Sequence, residues 1–173
     1  TVEAELHANL YFICPEYGPP DQYPTLAKVA LSRPSPTRES FLELSKYPFD
    51  VRFIESPLYP TSKVDRTATW LNIKDKFRNG LKSTDGLSVA LFMSDFIVFR
   101  VVLEIYLKAK FSMHGSSLHH SVWIHEANPD PLGWFLIVSE CQIISHGRAR
   151  INMRLFNESF KCFLTVVQEA YFQ

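Results

Sequence analysis

Apolar and polar residues alternate along Asp50-Val51-Arg52-Phe53-Ile54 and again along Thr67-Ala68-Thr69-Trp70-Leu71-Asn72-Ile73. Period-two alternation sends successive side chains to opposite faces, so both stretches predict half-buried strands. Ser56-Pro57-Leu58-Tyr59-Pro60 between them predicts a loop. Ser83-Thr84-Asp85 supplies capping side chains just ahead of Leu87. The run from Leu87 to about Tyr106 is too long for a strand and apolar nearly all round, which predicts a buried central helix. After Gly115 the pattern is wholly β. Strands are expected over Ser117–Ile124, Trp134–Gln142 and Arg148–Leu155, and a turn at Asn157-Glu158-Ser159 leads into a return strand over Phe160–Phe172. In the third of these, Ala149, Ile151, Met153 and Leu155 share one face, and Arg148, Arg150, Asn152 and Arg154 the other.

The order of elements is strands, one helix, then antiparallel strands. It predicts an α+β fold in which a curved antiparallel sheet wraps one long buried helix, each burying the other's apolar surface. Upstream the signals weaken. Nine of the eleven prolines fall between Pro15 and Pro60, and proline lacks the backbone donor that helices and central strands need. Residues 13–48 therefore read as a proline-rich linker with at most a short helix around Thr37–Leu44. Residues 1–12 read as one strand, the last piece of a mostly missing first domain, and 49–173 as the folded domain. The chain begins with Thr, which suggests a processed or truncated product.

Composition narrows the class. The 173 residues carry 18 basic and 18 acidic side chains and 14% aromatics. A formal charge of zero argues against a nucleic-acid partner, and the aromatic content against disorder. No membrane span is expected, because Ser88, Ser94, Asp95, Arg100 and Glu104 interrupt the apolar run. Cys14, Cys141 and Cys162 are too few and scattered for a disulfide framework, and no C-x-x-C pair supports a zinc or redox site. An intracellular setting is the expectation, with cytoplasm, peroxisome and mitochondrion unresolved; the C-terminus is not the Ser-Lys-Leu peroxisomal address.

Leu118-His119-His120-Ser121-Val122-Trp123-Ile124-His125, together with Val166-Val167-Gln168-Glu169, resembles the acyl-CoA thioesterase II family. That family usually shows Asp-His-Ser-Met-Trp-Phe-His at the first place and a Val-Gln-Glu-Gly-like run at the second. The likeness extends through Thr69-Trp70-Leu71, Met93-Ser94-Asp95-Phe96, Gly133-Trp134-Phe135-Leu136 and Arg148, and so covers residues 49–173. It implies a hot-dog fold, a double hot-dog architecture in full-length relatives, and hydrolysis of fatty acyl-CoA to free acid and CoA. No cofactor and no metal are expected.

In the family an Asp, a Ser or Thr, and a Gln activate water. The Asp position is matched by His119, the hydroxyl position by Cys141 or Gln142, and the glutamine by Gln168; Ala170 replaces the glycine that follows Gln-Glu. The candidate catalytic set is thus His119, Gln142 and Gln168. An imidazole at 119 could take a proton from water while Gln168 orients it, and both are expected to face one crevice. Cys141 could be a thiol nucleophile or a small buried strand residue. His119, His120, His125 and His146 could suggest a metal, but adjacent strand histidines face opposite sides. Arg148 and Arg150 could meet the phosphates of CoA or form a solvated face balanced by acids. Asp95 is expected to bond nearby donors, and Trp123 and Trp134 to pack on the sheet.

Two functional classes follow. One is an acyl-CoA thioesterase acting on a fatty acyl-CoA substrate. The other is a non-catalytic hot-dog relative that serves as a binding or scaffold subunit, since only Gln168 keeps its family chemistry. In either class the open sheet edge predicts a homo-oligomer or a partner hot-dog domain.

Overall fold

The computed structural model of the chain describes residues 17–32, 38–39, 42, 46–55, 65–108 and 114–173. The strand expected at 1–12 and the loop at Ser56–Pro60 lie outside them. Six strands form one antiparallel sheet: β1 (Phe49–Glu55), β2 (Arg66–Ile73), β3 (Gly115–Ile124), β4 (Phe135–Ser145), β5 (Arg148–Phe156) and β6 (Cys162–Phe172). Their spatial order is β1-β2-β4-β5-β6-β3, so β1 and β3 are the two edges. The fold is a hot-dog: a curved antiparallel sheet against a long helix.

That helix lies where the apolar run predicts it, but in two segments, α2 (Gly86–Ile97) and α3 (Arg100–Lys108), interrupted at Val98 and Phe99. Val89, Ala90, Met93, Ile97, Val101 and Val102 are buried, and they meet Phe53, Leu71, Ile137, Ile151, Met153 and Phe163 from the sheet in one core. Gly86 opens α2 because a Cβ there would stand 1.6 Å from the Pro129 carbonyl oxygen. By length and composition Ser83–Tyr106 could cross a membrane; more than half of its most apolar window is buried inside the domain. Asp95 corrects the expectation of a bonded carboxylate inside the helix, since it faces solvent. The buried charges are instead Arg100 and Glu104, one turn apart, which form an ion pair. The Arg100 guanidinium carbon lies 3.9 Å from the centre of the Phe53 ring, a cation–π contact.

The proline-rich segment is more than a linker. It contains α1 (Leu26–Leu31), capped by Thr25, whose hydroxyl accepts from the Lys28 N–H. Leu26, Val29 and Ala30 are spaced to form one apolar face and are buried. Residues Arg38, Glu39 and Leu42 are helical, within the short helix expected around 37–44, the remainder of which lies outside the described residues. Ahead of α1, the stretch from Tyr17 to Tyr23 lies over the sheet's outer face. Tyr17 and Tyr23 pack against a second small core of Ala68, Trp70, Leu136, Val138, Phe156 and Cys162. The Trp70 indole N–H donates to the Gly18 carbonyl at 3.1 Å. Arg52 donates to the Tyr23 carbonyl at 3.3 Å. This cover explains why β2 is buried on both faces, where alternation predicted one.

The last three strands follow the sequence closely. His146 and Gly147 have φ of 50° and 72°, the paired positive values of a two-residue type I′ hairpin between β4 and β5. β5 turns Ala149, Ile151, Met153 and Leu155 to the helices and Arg148, Arg150, Asn152 and Arg154 outward, as the alternation predicts.

Candidate functional site

β6 alternates with a period of two. Val166, Gln168, Ala170 and Phe172 are buried toward the helices; Thr165, Val167, Glu169 and Tyr171 lie on the outer face. Directly opposed residues in antiparallel strands share a face, so the register assigns a side to every candidate. Gln168 is opposed by His120 on β3 and by Ile151 on β5, and Ile151 is opposed by Cys141 on β4. Cys141, Ile151, Gln168 and His120 therefore form one row on the helix side. Glu169 is opposed by His119 and Arg150, and Arg150 by Ile143, which makes a parallel row on the outer side.

This corrects the expected pairing of His119 with Gln168. The two side chains face opposite sides of the sheet and hold no common water. His119 Nε2 instead contacts Ser121 Oγ at 2.6 Å. The imidazole on the Gln168 side is His120. The adjacent histidines do face apart, as strand geometry requires. Gln142 is displaced as well. It sits in a bulge between Cys141 and Ile143 and is exposed to solvent. Cys141 is buried, its thiol pushed up to about 11 by burial, with Sγ 3.7 Å from the Ile143 carbonyl oxygen. A thiol held that far above neutral pH is protonated and a poor nucleophile.

Gln168 is fully buried, at 0% exposure. Its Nε2 donates to Ser117 Oγ on β3. Its Oε1 is buried and has no donor among the described residues. Ser117 itself is exposed. A bulge at Leu118 changes the register between Ser117 and His119 and sets Ser117 opposite Ala170, on the helix side. Sequence reading missed Ser117, and the bulge is the reason: no spacing in the sequence marks it.

The outer row lines a separate groove of about 660 Å³, bordered by His119, Trp123, His146, Arg148, Arg150 and Glu169. Arg148 Nη1 donates to Glu169 Oε1 at 3.0 Å. Farther along this face Arg154 donates to Glu140 at 3.0 Å. The arginine stripe is thus partly balanced by acids. Trp123, expected to pack on the sheet, is 51% exposed in this groove, whereas Trp134 does pack against the small outer core. Among the described residues no group of three His, Cys, Asp or Glu side chains is placed to hold a metal.

The curved antiparallel sheet and the long helix packed against it define a hot-dog domain. Residues 20–172 match the family profile described as the acyl-CoA thioesterase C-terminal domain, and the chain belongs to that family. No curated protein matches the sequence. Among solved structures, the acyl-CoA thioesterase II TesB2 of Mycobacterium marinum is similar over 92% of this chain and 55% of its own, at 18% identity and a TM-score of 0.65. The tesB protein of Mycobacterium avium subsp. paratuberculosis is similar over 81% of this chain and 51% of its own, at 22% identity and a TM-score of 0.60. A conserved hot-dog-fold protein of Alicyclobacillus acidocaldarius matches 93% of this chain and 55% of its own, at 18% identity and a TM-score of 0.62. The chain spans about half the length of these three structures.

Proposed function

We propose that this domain hydrolyses acyl thioesters of coenzyme A, fatty acyl chains included, with water as the nucleophile, on the helix side of the β3–β6 pair. One observation carries the reading: the register opposes His120, an exposed imidazole, to Gln168, the residue that matches the family glutamine. An imidazole nitrogen can accept a proton, which suits it to proton removal from water. Hydrolysis of acyl-CoA substrates of several chain lengths by the full-length protein is the test. His120→Ala should lower kcat by about 10²-fold or more, while His119→Ala, on the other face, should leave it within about twofold. No hydrolysis above buffer in a folded full-length sample overturns the reading.

The edge supports a second hot-dog as partner. β3 has only β6 beside it, is exposed along most of its length, and leaves Leu118, Trp123 and Ile124 about half exposed. An edge this long and apolar is normally covered, either by a second copy or by another hot-dog domain. A monomer by sedimentation of the full-length protein, with no second hot-dog in its chain, would contradict this.

A non-catalytic binding subunit is favoured by one observation: His119, which matches the family's Asp, lies off the row that holds Gln168, and of the two matches to the hydroxyl position Gln142 lies off it too, while Cys141 lies on it as a buried thiol. The same assay separates the classes. Activity gained only in a His120→Asp variant would mark the parent as a non-catalytic relative.

A further inference from the structure

We propose that Ser117 is the residue that meets the reacting thioester and that Gln168 acts through it as a positioning residue. The inference rests on the hydrolase reading above. Gln168 has no exposed surface, so neither end of its amide reaches a substrate directly. What it reaches is Ser117 Oγ, which accepts from Gln168 Nε2. Because that oxygen already accepts the amide proton, the serine's own O–H is left to donate elsewhere, and Ser117 is the exposed member of the pair. The Leu118 bulge places this hydroxyl on the helix side, the side His120 shares. The motif carries a hydroxyl position on β4, filled here by Cys141 or Gln142. This chain supplies a hydroxyl from the edge strand instead, on the far side of the glutamine.

The step balances without a co-reactant. Water oxygen bonds to the thioester carbon while His120 takes the water proton, and the carbonyl π pair moves onto oxygen, where the Ser117 O–H donates to it. The tetrahedral species then collapses, the C–S bond breaks, and the thiolate leaves with the proton from His120. The products are the acid and the thiol. A donor aimed at oxygen as charge develops there lowers the barrier without tightening ground-state binding.

The experiment is a double-mutant cycle on the full-length protein, read as kcat and KM separately. Ser117→Ala should lower kcat about 100-fold with KM within about twofold, and Ser117→Thr should retain most of the rate. Gln168→Ala should lower kcat in the parent but add nothing in the Ser117→Ala background, because its effect passes through the hydroxyl. Ser116→Ala, on the outer face, should leave the rate unchanged. An active parent with full kcat in a folded Ser117→Ala variant overturns this assignment and leaves the hydrolase reading standing. So does an equal Gln168→Ala loss in both backgrounds. An inactive parent overturns both.

Discussion

The two ends of the sheet's outer face carry a tryptophan each, and their surroundings differ completely. At the β2–β4 end Trp70 is fully buried, its indole N–H bonded to Gly18 and its ring edge-on to Phe160 at 5.8 Å. At the β6–β3 end Trp123 stands half exposed beside His119, Arg148 and Glu169. One sheet thus has a sealed end, built by a proline-rich stretch of the same chain, and an open end that the described chain leaves uncovered. A hot-dog sheet's outer face is not committed to core or solvent by its strands. What lies on it decides, and here the open end coincides with the edge strand that carries Ser117 and His120.

The largest effect that can break this contrast is truncation of the two tryptophans. Trp70→Ala should cost about 3–5 kcal/mol, because it opens a cavity in the small outer core and leaves the Gly18 carbonyl without its donor. Trp123→Ala should change stability by no more than about 0.5 kcal/mol in the isolated chain. Urea denaturation of both variants measures this. Equal losses would mean that the open end is covered in solution.

A second prediction tests the seal itself. Burial, with a hydrogen bond to Glu55 behind it, raises the Tyr17 phenol well above its ordinary value near 10. The folded state therefore keeps the proton after the unfolded chain has lost it. Folding stability is intact below about pH 10 and falls as pH rises beyond it. Tyr17→Phe removes that titration, so its stability should decline less steeply between pH 10 and 11 than the parent's. Parallel decline of the two would place Tyr17 outside the seal.

Much of this was legible in the sequence, in uneven measure. The helix against the sheet follows from a twenty-residue apolar run flanked by strict alternation, and β5 kept every residue on its predicted face. The cover did not follow, because Pro15 to Pro36 signals only what a segment cannot be. Fixed φ and missing donors exclude helix interiors and central strands, yet they leave an extended segment free to lie across a face. The available clue was Leu26, Val29 and Ala30 behind the Thr25 cap. At the site, family matching led to His119, whereas plain alternation already separates His119, Ser121 and Trp123 from His120, Val122 and Ile124. The Leu118 bulge, which brings Ser117 to Gln168, leaves no sequence trace, since a bulge adds one residue without changing composition.

The smallest expected effect belongs to the open end's own ion pair. Arg148 and Glu169 meet at 3.0 Å with side chains 62% and 42% exposed. Water screens such a pair, and ordering two long side chains offsets most of the Coulomb gain, so a double-mutant cycle of Arg148→Ala and Glu169→Ala should give a coupling of only about 0.2–1 kcal/mol. That coupling should shrink further in 1 M salt, where screening acts over about 3 Å. If another hot-dog or a bound anion covered the groove, the same pair would sit in a lower dielectric. Its coupling would then exceed the exposed range and resist salt. A small, salt-labile value in the isolated chain that grows when a partner or a CoA thioester is added would show that the open end is closed from outside, as Tyr17 to Tyr23 close the other end from within.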